Sequence, residues 1–251
     1  MINLSVNVNK VATLRNSRGG RVPSVTAAVV TCLEAGAPGI TVHPRADERH
    51  IRASDVREIA AVLAPWRSKG QAEYNIEGDP RPGLIDLAIE THCDQCTLVP
   101  VMPGEITSQA GWSPEAASGT LDRAIKRLKA AGVRVSLFVD PEEAPVRWAA
   151  GLGADRIELY TEPFAAAFQS GAGAGRASFA RYVAAAELAH GLGLGVNAGH
   201  DLDLHNLPLF RTLPSRRSVD RSRARQSRAV GGPRALRPRL PRGRFVMIVP
   251  S

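Results

Sequence analysis

The stretch AAGVRVSLFVDPEEAPVRWAAGLGADRIELY, residues 130–160, decides the fold. Val133–Val139 is an apolar, β-branched run of strand length, and Arg156–Tyr160 is another. Between them Pro141–Leu152 carries helical spacing, opened by Asp140-Pro141 and closed by Gly153. Gly132 ends a preceding helix in the same way. A strand, a helix and a second strand within about 30 residues make one βα unit with parallel strands.

Outward from this unit the device repeats. Further strands are expected at Ile2–Val8, Gly39–His43, Ala72–Ile76, Thr97–Val101 and Leu194–Asn197. Helices are expected at Ser24–Ala35, Ala53–Ala64, Pro80–Thr91, Pro114–Ala131 and Ala177–Leu192, with Gly36 and Gly193 as further stops. Seven strands with intervening helices in 251 residues predict an α/β (β/α)8 TIM barrel. A dinucleotide-binding sheet is disfavoured, because Arg18-Gly19-Gly20-Arg21 lacks the G-x-G-x-x-G spacing after the first strand.

Composition narrows the class. With 44% hydrophobic and 22% charged residues the chain can bury a core, and no apolar run reaches the length of a membrane span. A cytoplasmic enzyme without a membrane partner is expected. Cys32, Cys93 and Cys96 cannot build a disulfide framework, and the lone pair Cys93-Asp94-Gln95-Cys96 has no second ligand pair, so no metal is expected.

The net charge of +8 is unevenly placed. Residues 1–210 carry 20 Lys+Arg against 23 Asp+Glu, whereas residues 211–251 carry twelve arginines and one acid, Asp220. Residues 1–210 therefore read as the barrel domain and 211–251 as an Arg/Pro-rich tail, with no apolar periodicity until Phe245–Val249. The eighth βα unit is expected to be lost or replaced by this non-native tail, leaving strand edges open. Such a tail reads either as a nucleic-acid arm or as translation of a wrong frame, and the second reading is preferred because nucleic-acid arms usually use lysine as well.

In a barrel the chemistry lies at the C-terminal ends of the strands. The polar residues there are Asn7, Asn9 and Lys10 with Arg15 and Arg18; His43, Arg45 and His50; Glu73, Asn75 and Glu77; Glu105, Thr107 and Ser108; Glu158; and Asn197, His200 and Asp201. Histidines and carboxylates suit proton transfer, and arginines hold phosphate through a planar fork of donors. Of four lysines only Lys10 lies near a strand end, so a Schiff-base lysine is disfavoured. The residues by themselves indicate an acid/base enzyme acting on a phosphorylated small molecule.

The segments VNVNKVATLRNSRGG, AGAPGITVHPRADERHI, AEYNIEGDP, LVPVMPGEITSQAGW, VRVSLFVDP, IELYTEP and GLGVNAGHDLDLHNL occur in order across residues 2–208. Together they resemble the pyridoxine 5′-phosphate synthase family of vitamin B6 biosynthesis. The resemblance implies a homo-octameric TIM barrel without cofactor or metal. It implies condensation of 3-amino-2-oxopropyl phosphate with 1-deoxy-D-xylulose 5-phosphate to pyridoxine 5′-phosphate, phosphate and water.

By the resemblance His43 is the general base, Glu73 a second proton acceptor, His200 the proton donor and Glu158 a transition-state stabiliser. Arg45, His50 and Thr107 bind the deoxyxylulose phosphate; Asn7, Arg18 and Asp201 bind the aminooxopropyl phosphate. Asn9-Lys10 stands where many members have Asp-His, and Lys10 is able to hold phosphate as a point charge. Glu77 and Glu105 read as orienting or solvated residues.

The family continues past the HN of Asn206 with a strand and a Gly-His phosphate loop, which this chain lacks. A one-base shift over Ser218–Ala229 permits Ala-Ser-Ile-Gly-His-Ala-Leu-Val-Ser-Arg, so a frame change between about Leu213 and Ser218 is inferred. A poorly folded, nearly inactive chain is the consequence. Alternatives are a barrel-derived binding protein or pseudoenzyme with a basic nucleic-acid-binding tail, and an aldolase or isomerase barrel, the latter disfavoured by the lysine positions and by VNAGH.

Overall fold

The computed structural model describes residues 2–17, 19–100, 110–115, 118–213 and 244–248. Eight parallel strands close a barrel in sequence order: β1 (Ile2–Asn7), β2 (Gly39–Val42), β3 (Glu73–Gly78), β4 (Gln95–Leu98), β5 (Arg134–Val139), β6 (Arg156–Tyr160), β7 (Gly195–Gly199) and β8 (Arg244–Ile248). Around it run α1 (Asn9–Ser17), α2 (Val25–Glu34), α3 (Ala53–Ser68), α4 (Pro82–Glu90), α5 (Ser118–Ala130), α6 (Glu143–Gly151), α7 (Glu162–Ser170), α8 (Ala172–Gly191) and the short α9 (Leu207–Phe210). The expected barrel is present.

The helix stops follow one mechanism. Gly36, Gly132, Gly153 and Gly193 all take positive φ, and the residue after each donates its N–H to a carbonyl five positions back. Val133 donates to Leu128 at 3.0 Å, and Leu194 to Ala189 at 2.8 Å. Each turn closes the helix's free carbonyls and sends the chain into the next strand. At the strand starts Asp94 and Asp155 act as register staples. The Asp94 carboxylate accepts from the Tyr74 N–H at 2.8 Å, and that of Asp155 from the Val135 N–H at 2.9 Å.

Strands β1 to β7 alternate, and the apolar set faces outward. Tyr74, Ile76, Val135, Leu137, Val139, Ile157, Leu159 and Val196 pack against the helices in the main core. Burying each such side chain contributes about 1.5–3 kcal/mol. The opposite parity is buried and polar: Ser5, Asn7, Thr41, Asn75, Glu77, Gln95, Thr97, Ser136, Arg156, Glu158 and Asn197. Where a TIM barrel usually fills its interior with Val, Ile and Leu, this one uses a hydrogen-bonded lattice. Ser5 and Thr41 share a bond at 2.7 Å, Thr97 donates to Asn75 at 3.0 Å, and Arg156 donates to Asn197 at 3.0 Å. Among the described residues the interior turns apolar towards the C-terminal ends, with Val99, Phe138 and Tyr160 in a separate small cluster.

The eighth unit is replaced by the tail, as expected, but the strand edges are not left open. The eighth place is taken by the tail's own apolar run: β8 pairs with β1 from Ile2↔Arg244 to Val6↔Ile248, and with β7 at Asn197↔Phe245 and Ala198↔Val246. The rest of the tail, including Ser218–Ala229, lies outside the described residues. α1, α7 and the single-turn α9 lie outside the expected helices; α1 is short and carries two asparagines and a threonine, poor helix formers, so its pattern is weak.

Candidate active site

At the barrel mouth the ends of β1 and β2 are stitched by two asparagines. The side-chain oxygen of Asn7 accepts from the Asn9 N–H, and that of Asn9 accepts from the His43 N–H, both at 2.9 Å. Lys10, the next residue of α1, is exposed. Beyond His43 the buried Arg45 lies with its Nε 3.7 Å from Asp47. The His50 ring meets that of His43 edge-on, with centroids 5.9 Å apart. Its Nδ1 accepts from the Ile51 N–H at 2.9 Å, so in the neutral ring the proton is on Nε2.

This loop is held from α1. Arg15 forms a buried two-pronged ion pair with Asp55, at 2.5 and 2.9 Å, and Asn16 donates to the His50 carbonyl at 2.8 Å. From the start of α4, Arg81 donates to the Pro44 carbonyl at 2.6 Å, fixing the residue between His43 and Arg45. Arg81 was not singled out in the sequence, where it reads as a helix-start residue beside Asp79.

Burial drives the His43 imidazole down to about 3, helped by the neighbouring His50, Arg45, Arg81 and His200. His50 falls to about 4, again mainly by burial and then by Arg45. Near neutral pH both rings are uncharged. The Nε2 of His43 is buried with no hydrogen-bond partner.

Two carboxyls lie inside the barrel above its base. Glu158 on β6 is fully buried beside Thr97, whose hydroxyl donates its proton to Asn75 at 3.0 Å, which leaves both Glu158 oxygens without a donor. Glu77 on β3 is 4% exposed, with Oε1 likewise unpartnered. Burial pushes Glu77 up to about 8. Glu158 is raised well above the usual carboxylate range by burial and then by the proximity of Glu77. Because Val42 pairs with Ile76, the next positions of the two strands, His43 and Glu77, stand side by side at the mouth.

Glu73 does not join them. It opens β3 opposite Gly39, at the N-terminal end of the barrel, where Arg134 grips it with two bonds at 3.0 and 2.5 Å. It lies four residues below Glu77, roughly 13 Å along the strand. The placement of Glu73 at the mouth is therefore corrected, as is the reading of Glu77 as solvated. Strand parity puts both glutamates inside the barrel and says nothing of depth, which is why the sequence did not separate them.

On the opposite side His200 follows β7 with φ 78°, and Asp201 follows with φ 54°. The His200 ring packs on Phe138 at 4.9 Å and edge-on to Tyr160 at 5.8 Å between centroids. Burial lowers the His200 imidazole, and Asp201 partly opposes this. The side chain of Asp201 is exposed, while its carbonyl accepts from Asn206 at 3.0 Å. Trp112 covers the mouth beside β5, donating its N–H to the Phe138 carbonyl at 2.8 Å and its indole N–H to the Leu98 carbonyl at 2.9 Å. Arg18, Glu105 and Thr107 lie outside the described residues.

Among the described residues no group of three or more His, Cys, Asp or Glu side chains is arranged to hold a metal ion. Cys93 and Cys96 are buried, and burial pushes the Cys96 thiol up to about 12, so it is not a thiolate near neutrality.

Comparison with known proteins places this constellation. Residues 4–230 match the family described as pyridoxal phosphate biosynthesis protein PdxJ. The chain belongs to the PdxJ family. Among curated members, the pyridoxine 5′-phosphate synthase of Leptospira biflexa is 48% identical over 227 residues, covering 87% of each chain. That of Bacteroides fragilis is 49% identical over 210 residues, covering 84% of each chain. A native KDPGal structure shares the fold at TM-score 0.51 and 14% identity, covering 89% of this chain and 86% of that one. The PdxJ match runs past the point at which the tail composition changes. It makes the chain an enzyme of pyridoxine biosynthesis.

Proposed function

We propose that this chain condenses 3-amino-2-oxopropyl phosphate with 1-deoxy-D-xylulose 5-phosphate to give pyridoxine 5′-phosphate, phosphate and water. The observation that carries the reading is the set of buried proton carriers at one mouth: Glu77, Glu158, His43 and His200, with side-chain atoms of each left without a hydrogen-bond partner. Buried polar groups are normally paired. Four open ones together favour a site completed by substrate.

Joining the amine of one substrate to the ketone of the other needs a base to take the ammonium proton and an acid to protonate the departing hydroxyl. His43, neutral in the empty barrel and raised towards base strength by a bound phosphate dianion, suits the first role. Glu77, protonated near neutrality, suits the second and becomes an acceptor once it has given up its proton. Glu77 therefore takes the proton-acceptor role first assigned to Glu73. Glu158 is the second neutral carboxyl, and a cationic nitrogen developing beside it favours its ionised form, which then stabilises that charge. His200 is neutral in the empty barrel, and a bound phosphate dianion beside it raises it towards donor strength.

Arg45 and His50, with Thr107, hold the deoxyxylulose phosphate. Asn7, Arg18 and Asp201 hold the aminooxopropyl phosphate, and Lys10 adds a positive charge at the rim beside Asn9. No lysine adduct is needed, since the substrate supplies the amine. In this reading the chain works in the cytoplasm as a homo-octamer, without cofactor. The test incubates the full chain with both substrates and follows pyridoxine 5′-phosphate by chromatography and phosphate by colorimetry. Equal amounts of the two products are expected; product formation unchanged in both Glu77→Gln and His43→Gln would overturn the assignment.

A further inference from the structure

The residue after β6 breaks a local rule. Thr161 is the N-cap of α7, where a threonine hydroxyl ordinarily accepts from a backbone N–H of the first turn. Here it makes no capping bond. Its fully buried hydroxyl points across to the next strand instead, donating to the carbonyls of Gly199 and His200. From the other side the buried Asn206 donates to the carbonyl of Asp201 at 3.0 Å and accepts from the Asp203 N–H at 2.9 Å.

Three consecutive carbonyls, those of residues 199–201, are thus each held by a side chain. Two of these residues, His200 and Asp201, are consecutive non-glycine residues in the left-handed region. Such a conformation persists only where the surroundings enforce it. The clasp supplies that enforcement, and the His200 ring then lies against Phe138 and Tyr160 at the mouth.

The geometry points to Thr161 as a positioning residue for His200: its hydroxyl, with Asn206 as the second anchor, holds the left-handed corner that aims the imidazole into the barrel mouth. This rests on the reading of His200 as proton donor. α7 does without a side-chain cap, and the hydroxyl serves the neighbouring strand end instead.

The test uses the full chain with Thr161→Val, which keeps the shape and removes the donor, Thr161→Ser, which keeps the donor, and Thr161→Cys, a weak donor that serves if the valine variant does not fold. In the valine and cysteine variants kcat is expected to fall roughly 10- to 100-fold with KM within about threefold, the loss produced by a small misplacement of a reacting group. The serine variant stays within about threefold of the parent. Nitrogen NMR of the His200 imidazole in substrate-free protein, assigned with His200→Asn, reads the clasp without turnover. Its resonances and titration shift in the valine and cysteine variants and not in the serine variant. Unchanged His200 resonances in the valine or cysteine variant, or a serine variant as altered as they are, overturn the proposal. His200→Asn with parental kcat instead removes the proton-donor reading, while the clasp is judged on the resonances.

Discussion

Arg134 grips Glu73 by two guanidinium nitrogens, at 3.0 and 2.5 Å, at the end of the barrel opposite the mouth. The pair links the starts of β3 and β5 across β4, so its work is structural. Glu73→Gln is expected to leave kcat within about twofold while lowering stability by about 1–3 kcal/mol, as for loss of a partly buried charged hydrogen bond. Glu77→Gln should do the reverse, cutting kcat by roughly 10²- to 10⁴-fold with little loss of stability. Steady-state kinetics and urea unfolding on the two variants separate the roles; a large kcat loss in Glu73→Gln with none in Glu77→Gln would reverse the assignment.

The C-terminal ends of β2 and β3 carry opposed titrations in His43 and Glu77. Folding lowers His43 from 6.5 to about 3, so between those values the unfolded chain binds more protons and stability falls as pH falls. Folding raises Glu77 from 4.5 to about 8, so between those values the folded chain binds more protons and stability falls as pH rises. Stability from these two groups is therefore greatest in the overlap, about pH 4.5–6.5. Urea midpoints against pH should decline towards pH 8 in the parent and decline less in Glu77→Gln; equal alkaline slopes would remove Glu77 as the cause.

The outward half of this fold was legible because period-two apolar residues between glycine stops read directly as parallel strands, as in Val135, Leu137 and Val139 followed by Gly153. The mouth was legible as a set of residues at strand ends, which caught His43, Arg45, Glu158 and His200. Depth was not legible. Glu73, Asn75 and Glu77 share one parity, and only the pairing of Gly39 with Glu73 shows which of them lies at the base. Nor was the clasp on His200, since Thr161 reads as an ordinary helix cap and its partners are 38 and 39 residues away.

Asn9 is the hinge of the departure from Asp-His. Its oxygen accepts from the His43 N–H, a bond that an aspartate makes equally well. Asn9→Asp is expected to keep kcat within about threefold, whereas Asn9→Ala, which leaves that N–H without its acceptor, should lower stability by about 1–3 kcal/mol and cut kcat. Thermal unfolding and kinetics on the pair check this; an alanine variant equal to the aspartate variant would show that the bond carries nothing.

Gly111 lies so close to β5 that a Cβ there would sit 2.4 Å from the Asp140 nitrogen and from the Val139 Cα. Those contacts are backbone and cannot yield, so Gly111→Ala has to push the segment off the strand end and break the bond from Trp112 to the Phe138 carbonyl. A rise in KM and a red shift of tryptophan emission are expected, with about 1–3 kcal/mol of lost stability. Unchanged emission and KM would mean that the segment does not cover the mouth.

The closing strand makes the sharpest demand on the tail. β8 pairs with five residues of β1 and two of β7, so removing residues 244–251 leaves both neighbours with unpaired N–H and C=O groups. The truncated chain is expected to lose its cooperative thermal transition and to aggregate. If a frame change did occur between about Leu213 and Ser218, restoring the frame from about Ser218 onward would put back the strand and the Gly-His loop that the resemblance implies. If closure is all that the barrel needs from this region, the frame-restored chain and the parent will melt alike and differ in KM for the aminooxopropyl phosphate. If β8 as it stands is a weak closure, held on the β7 side by only two residue pairs, the frame-restored chain will melt higher as well. Calorimetry of the three chains decides between these, and a truncated chain as soluble and cooperative as the parent would show that the barrel does not depend on Arg244–Ile248.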